Sequence, residues 1–136
     1  MTPHRGLSHY MRTQVQASSP LELVVMLYDG ALASMHAARA AIERRDIAAR
    51  RDALAKVLAI VNELQSTLNM AEGGAVAATL DDLYAYVNGR LLAAAADNAV
   101  APLDDAIRVF AGLRDAWATV AAQPGAGRPD PIRGAA

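Results

Sequence analysis

The chain has 136 residues, of which 54% are hydrophobic and 4% aromatic; it carries a formal net charge of −1 and contains no cysteine. This length fits one domain with a real core, and the near-neutral charge argues against a general nucleic-acid or anionic-membrane binder, because a polyanion gains little attraction from such a surface. Without cysteine, neither a disulfide framework nor thiolate chemistry is available, which suits a reducing cytoplasm. An apolar content drawn mostly from Ala, Leu and Val is typical of a helical bundle.

The N-terminal segment, residues 1 to 18, has no apolar run that resembles the core of a signal peptide. No stretch elsewhere has the roughly 20 apolar residues that span a bilayer, so we expect no stable membrane insertion. Leu7, Tyr10, Met11 and Val15 stand at helix-like steps within this segment. We therefore predict a loosely attached, mobile element that can fold back on the main domain.

The first helix has a well-marked start at Ser19-Pro20-Leu21-Glu22, where a capping residue precedes a proline and an acidic residue. Apolar residues at helical spacing predict a helix over about 20 to 44. Asp29-Gly30, a strong turn signal, lies inside this pattern. Because Met35 and Ile42 continue the stripe, we expect the helix to run through the pair. Gly30 costs such a helix about 1 kcal/mol relative to Ala, and its missing side chain lets a neighbouring helix or a partner's backbone come close.

Three further helices follow the first. Asp46 is the predicted cap of the second, which should end near Asn69; the run MAEGG then forms a turn, and the third helix reaches about Ala96, before Asp97-Asn98. Pro102 opens the fourth. The predicted apolar stripes include Ile47, Val61 and Leu64 in the second helix, Val76, Leu80 and Leu83 in the third, and Leu103, Phe110 and Trp117 in the fourth.

Together these elements predict an all-α fold, an antiparallel up-and-down four-helix bundle with a loosely attached N-terminal segment. The predicted organisation is a mobile segment over 1 to 18, a bundle domain over 19 to 122 and a tail over 123 to 136. From Pro124 the tail has no periodic apolar set, so we expect it to be disordered.

No constellation of residues points to an enzyme. A di-metal site in a bundle needs Glu-x-x-His pairs, and none of His4, His9 and His36 is preceded by Glu at that spacing. No P-loop is present, and Ser18 and Ser19 lack the glycine elbow of a nucleophile, so helix capping explains them better. We therefore predict no catalytic residue, no metal and no cofactor, and a metal-dependent enzyme ranks last among the alternatives.

The first helix carries more apolar surface than one core stripe requires, since residues 21 to 28, LELVVMLY, include one charged side chain. If one stripe faces the core, then Leu23, Met26 and Leu27 extend the apolar surface around the helix. Loops or the N-terminal segment could cover them, as apolar residues at helical spacing usually belong to a core. The alternative is a groove for a partner helix, with Met26 and Met35 supplying adaptable contacts.

The third helix offers the same choice at Tyr84, Tyr86, Asn88 and Arg90. The tyrosines can be core-edge residues with solvated hydroxyls. Equally, amphipathic rings beside an amide that pairs with backbone groups suit a surface that holds a peptide.

The ordered series of motifs resembles the flagellar secretion chaperone family, FliS. The matching stretches fall within residues 10 to 118 and are Tyr10 followed by TQVQASSP, then ELVVMLYDGAL, NELQSTLN, EGG, LDDLYAYVNGRL and LRDAW. A lone YDG would be weak, whereas this series in this order is highly specific.

The resemblance implies a cytosolic chaperone that binds the disordered C-terminal segment of flagellin, prevents premature polymerisation and keeps it competent for flagellar type III export. Delivery to the flagellar export gate, and partial covering of the groove by the N-terminal segment with Tyr10, are implied as well. The candidate flagellin-binding residues are Tyr10, Val15, Leu23, Met26, Leu27, Gly30, Tyr84, Asn88 and Leu91. An alternative keeps the bundle but makes it an adaptor that self-associates through the same apolar surface, without flagellin specificity.

Overall fold

The structure, a computed structural model, describes residues 19–123, which form four helices joined by short connections. They are α1 (Pro20–Glu43), α2 (Ile47–Ser66), α3 (Met70–Asp97) and α4 (Val100–Ala121). Helices α1 and α3 each pack against both α2 and α4, so the predicted antiparallel up-and-down four-helix bundle is confirmed. The predictions for residues 1 to 18 and for the tail from Pro124 lie outside the described residues.

Three helices begin at a side-chain cap. Ser19, Asp46 and Asn69 each accept a hydrogen bond from the backbone N–H three residues further on, at 3.2, 3.1 and 3.0 Å. Such a cap satisfies one of the N–H groups that the first turn leaves unpaired and stabilises the helix by about 1 kcal/mol. The starts predicted at Ser19 and Asp46 are therefore confirmed.

Two predicted boundaries differ from the structure. Residues 70 to 74, predicted as a turn, open α3, because the cap at Asn69 starts a helical turn and the break is confined to Gly74, with φ 55° and ψ −130°. Helix α4 begins at Val100, two residues before Pro102. A proline is tolerated there because the first N–H groups of a helix have no intrahelical partner. The predicted break after α3 is confirmed at Asn98, a left-handed residue with φ 48°.

The core contains buried side chains from all four helices. Its largest fully buried members are Tyr28, Tyr84, Phe110, Met35, Leu64, Leu91 and Leu103. Buried alanines, such as Ala31 and Ala38 on α1, let the neighbouring helices approach closely. Trp117 is 8% exposed, as predicted for a core residue, whereas Ile47 and Val76 are 57% and 56% exposed. The prediction that these two residues belong to the core stripes was wrong. Ile47 is the first residue of α2, and Val76 lies two residues after the break at Gly74.

Helix α1 continues through Asp29-Gly30, as predicted. The Asp29 carboxylate accepts a hydrogen bond from Nε of Arg114 on α4 at 2.8 Å. A Cβ added at Gly30 would lie 3.7 Å from Cδ1 of Ile60 on α2, an ordinary van der Waals contact. A neighbouring helix therefore does lie beside Gly30, at a distance that leaves room for a methyl group.

By length and composition, α1 is the one helix within residues 19–123 that could cross a membrane. The expectation that no stretch is long and apolar enough therefore fails on that criterion. In the bundle, α1 is a core helix that buries Tyr28 and Met35 and pairs Asp29 and Arg39 with α4. The apolar side chains of α1 pack in the core of the bundle.

Candidate functional site

An apolar strip runs along one flank of α1, beside the residues that face the core. Leu23, Met26, Leu27 and Gly30 follow three- and four-residue steps, and all four are half-buried. We call this set the α1 strip. Leu27 and Ile60 of α2 pack against the edge of the core. With Ile60 next to Gly30, the strip lies on the α2 side of α1.

The opposite flank of α1 is closed by ion pairs to α4. Arg39 donates from Nε and Nη2 to the two carboxylate oxygens of Asp104, at 2.8 and 3.3 Å. This contact holds the pKa of Asp104 below its ordinary value and raises the pKa of Arg39. Asp29 and Arg114 form a second pair on the same side. The two flanks of α1 therefore differ in chemistry: the side towards α4 is ionic and the side towards α2 is apolar.

Asn88 lies in the seam between α2 and α3. Its Nδ2 donates to Oδ1 of Asn62 at 3.2 Å, and Gln65 Nε2 donates to Asp81 Oδ1 nearby at 2.9 Å. The Asn88 Oδ1 atom is buried and has no hydrogen-bond partner among the described residues. An unpaired carbonyl oxygen can accept a backbone N–H, but this one lies beneath the surface, and a bound peptide reaches it only when the Asn88 side chain turns outward.

Two other predicted site residues on α3 do not lie on the surface. Tyr84 and Leu91 are 0% and 1% exposed, inside the bundle. They share the inner face of α3 with Leu80, Val87 and Ala94, which recur at three- and four-residue steps. The expectation that they line an exposed surface therefore differs from the structure. Tyr10 and Val15, also predicted, lie outside the described residues.

Tyr84 takes part in a polar contact that the sequence analysis missed. Its hydroxyl lies 2.6 Å from that of Tyr28, across the core from α3 to α1, and either group can donate. The Phe110 ring centroid is 4.8 Å from that of Tyr28 and 6.1 Å from that of Tyr84. Both tyrosines lie at helical spacing from the core residues of their own helices, which predicts that they are buried. A buried phenol hydroxyl needs a hydrogen-bond partner, so the pairing could have been inferred from the sequence. We call these two residues the tyrosine pair.

Burial controls the ionisation of the tyrosine pair. It raises the pKa of Tyr28, and hydrogen bonds with Tyr84 and Trp117 offset part of that rise. It also raises the pKa of Tyr84, where the hydrogen bond to Tyr28 and the repulsion of a charged Tyr28 act in the same direction. Both hydroxyls therefore stay protonated at neutral pH. Within residues 19–123, no three His, Cys, Asp or Glu side chains are grouped so that they could hold a metal ion.

Known proteins resemble the chain over most of its length. The family described as Flagellar protein FliS matches residues 4–124. The Flagellar secretion chaperone FliS of Salmonella typhimurium is 32% identical over 117 residues, covering 82% of this chain and 87% of that protein. The protein of the same name from Vibrio cholerae is 33% identical over 105 residues, 77% of each chain. That from Campylobacter jejuni is 35% identical over 111 residues, 82% of this chain and 87% of the relative.

Proposed function

Since the chain belongs to the FliS family, we propose that it is a flagellar secretion chaperone whose client is the C-terminal segment of flagellin. It acts in the cytosol without a cofactor. Binding covers the segment that drives filament assembly, prevents premature polymerisation and keeps the subunit competent for type III export. Delivery of the loaded client to the export gate is part of the same proposal.

The observation that carries the client assignment is the α1 strip. Leu23, Met26 and Leu27 give α1 an apolar flank in addition to its core stripe, and none of the three has a charged side chain. A flexible thioether such as that of Met26 adapts to apolar side chains of different shapes. Gly30 has no side chain to project from the strip beside Ile60, so a bound chain can pass close to the backbone of α1. These features suit an apolar segment laid along α1.

An apolar strip also fits the energetics of a disordered client. A flexible segment loses conformational entropy when it becomes ordered on a surface, so its affinity must come from an extended apolar contact. Asn88 is the proposed polar anchor, once its side chain turns the unpaired Oδ1 atom, which is buried in the free protein, towards the client. We propose that Tyr84 and Leu91 act from within the core by fixing the position of α3, since neither side chain reaches the surface. Tyr10 and Val15 remain proposed contacts in the N-terminal segment.

The test is the Met26→Asp and Leu27→Asp double variant, titrated with a flagellin C-terminal fragment. Two carboxylates on the α1 strip would have to be desolvated against an apolar client, so binding should be lost. The matched control is the Ile47→Asp and Ala48→Asp double variant, which adds the same two charges at exposed positions in the first turn of α2. This control should bind like the wild type. Circular dichroism should show that all three proteins are equally helical.

The single variant Met26→Asp separates binding from stability, because Leu27 packs against the core and its replacement can loosen the bundle. Met26→Asp should weaken binding at least about ten-fold by placing one charge in the contact. Gly30→Leu should also weaken binding while the bundle remains folded. Unchanged affinity in all of these variants would reject the α1 strip as the client surface. A peptide-insensitive oligomer would instead favour a self-associating adaptor.

A further inference from the structure

An apolar groove runs between α3 and α4, towards the end of the bundle at which α4 ends. Its other end is closed by the ion pair of Arg90 on α3 with Asp105 on α4, at 3.1 Å. Residues at three- and four-residue steps from this pair lie on the same flanks of the two helices. We call these residues the α3/α4 groove: Val76, Thr79, Leu83 and Tyr86 on α3, and Val109, Leu113, Ala116 and Val120 on α4.

The α3/α4 groove is open to solvent. Val76, Tyr86 and Val120 are 56%, 48% and 41% exposed, and no residue of the groove has a charged side chain. Val76 stands 14 residues before one partner of the ion pair and Val120 stands 15 residues after the other. In antiparallel helices these two valines therefore lie side by side, where α4 ends. An exposed apolar surface of this kind is typical of an interaction site.

The chain itself leaves the bundle at this groove. Val120 lies in the last turn of α4, which ends at Ala121, and residues 124 to 136 follow. A segment tethered beside a groove has an effective concentration there on the order of millimolar, so even a weak contact is occupied. Residues 1 to 18 join α1, which lies diagonally opposite α3, and they would have to cross α4 to reach the groove. The connectivity therefore favours the segment after α4 as the occupant.

The sequence of this segment, PGAGRPDPIRGAA, suits a narrow apolar groove. Its one large apolar side chain is Ile132, and Pro129 and Pro131 restrict the backbone just before it. Segments rich in proline favour an extended conformation without internal hydrogen bonds, and they bind in grooves that contain aromatic side chains such as Tyr86. Such binding needs no helical period, which this segment lacks.

We propose that residues 126 to 132 fold back along the α3/α4 groove and place Ile132 against Tyr86. The dimensions agree. Val76 and Tyr86 are ten helical residues apart, or about 15 Å. Six steps of extended, proline-rich chain, from residue 126 to Ile132, span about 19 Å. Gly125 lets the chain reverse its direction after α4, because glycine adopts backbone conformations that other residues avoid.

Charge fixes the position of the segment along the groove. Asp82 is exposed beside Leu83 and forms no ion pair within residues 19–123. Arg128 lies two steps after residue 126, about 6 Å along the groove from Val76, where its long side chain reaches the Asp82 carboxylate. An exposed pair of this kind adds little affinity, so the apolar contact of Ile132 holds the segment.

The fold-back is separate from the proposed client site. Helices α1 and α3 occupy opposite corners of the bundle, because each packs on α2 and α4. The α1 strip faces α2, whereas the α3/α4 groove lies on the far side of the bundle. The inference therefore stands or fails independently of flagellin binding, and its test needs no client.

Thiol reactivity tests the fold-back, because the natural chain contains no cysteine. Thr79→Cys places one thiol at an exposed position in the groove, under the path of the segment. In the second protein, Thr79→Cys is combined with Ile132→Asp, whose carboxylate would have to be desolvated in the groove and so releases the segment. The thiol should react with a water-soluble reagent at least about two-fold more slowly in the first protein, since a millimolar effective concentration half-fills a contact with a Kd of about 1 mM.

Matched variants distinguish the fold-back from a general effect. Ala55→Cys, exposed on α2, should react at the same rate with and without Ile132→Asp. Tyr86→Ser should release the Thr79→Cys thiol as Ile132→Asp does, whereas Leu92→Ser, on the α2 side of α3 and 58% exposed, should not. Circular dichroism should show equal helicity in all variants.

Two results would overturn the proposal. Equal reactivity of the Thr79→Cys thiol with and without Ile132→Asp would leave the α3/α4 groove to a separate partner. Protection that disappears when the protein is diluted would place the segment in the groove of a second copy. Protection that is independent of protein concentration and is lost with Ile132→Asp supports the fold-back within one chain.

Discussion

Removal of single hydroxyls from the tyrosine pair should have unequal effects on stability. Tyr28 has two polar neighbours in the core, because its hydroxyl lies 2.6 Å from that of Tyr84 and the Trp117 side chain is close enough to lower its pKa. Tyr28→Phe therefore removes the polar neighbour of both the Tyr84 hydroxyl and the Trp117 side chain. Tyr84→Phe removes one neighbour of the Tyr28 hydroxyl, which still has Trp117 beside it.

The expected costs follow from the groups left unpaired. Leaving a buried polar group without a partner costs about 1 to 3 kcal/mol. We expect Tyr84→Phe to lower the free energy of unfolding by about 1 kcal/mol and Tyr28→Phe by about 2 to 3 kcal/mol. The double variant should cost no more than Tyr28→Phe alone, because removal of the second hydroxyl also removes an unpaired group. The coupling energy between the two sites is then about 1 kcal/mol.

Urea unfolding at neutral pH, followed by far-ultraviolet circular dichroism, measures the free energy of unfolding of all four proteins in this cycle. For a domain of this size, 1 kcal/mol also shifts the melting temperature by about 4 °C or more, so thermal melts provide an independent check. Additive effects of the two substitutions would refute the reasoning. So would a larger loss from Tyr84→Phe than from Tyr28→Phe.

Two further predictions concern pH and glycine. Because the pKa values of the tyrosine pair are raised above the ordinary 10.0, the folded protein keeps protons that the unfolded chain releases above pH 10. Its stability should therefore be complete below pH 10 and fall as the pH rises further, and urea titrations at increasing pH should show a smaller fall in the double phenylalanine variant. Gly30→Ala should stabilise the protein by about 0.5 to 1 kcal/mol, because the new methyl group fits beside Ile60. Gly74→Ala should destabilise it by about 1 kcal/mol or more, because φ is 55° there, and thermal melts showing the same sign for both variants would contradict this account.

The bundle could be predicted from the sequence because independent local signals agree. At α1, the cap at Ser19 and the stripe that continues to Met35 and Ile42 outweigh the turn propensity of Asp29-Gly30. The signals conflicted before α3, where two glycines indicated a turn while Asn69 could cap a helix. In the structure Asn69 caps a helical turn, and the helix is then interrupted at Gly74.

The candidate site was less predictable, because it depends on contacts between distant parts of the chain. The partners Asp29 and Arg114 are 85 positions apart, and nothing in their local sequence pairs them. Tyr84 was predicted as a site residue from its amphipathic ring and Leu91 after the resemblance, in both cases without the side of the helix on which the residue lies. Their steps from Leu80 would have placed them on the inner face of α3.

The central claim is tested most directly by calorimetric titration of the purified protein with a flagellin C-terminal fragment. We predict saturable binding of one fragment per chain, with a negative heat-capacity change from the burial of apolar surface on the α1 strip. A flagellin fragment that lacks the C-terminal segment should give no binding heat. Absence of binding by the C-terminal fragment, or equal binding of both fragments, would contradict the assignment of this client.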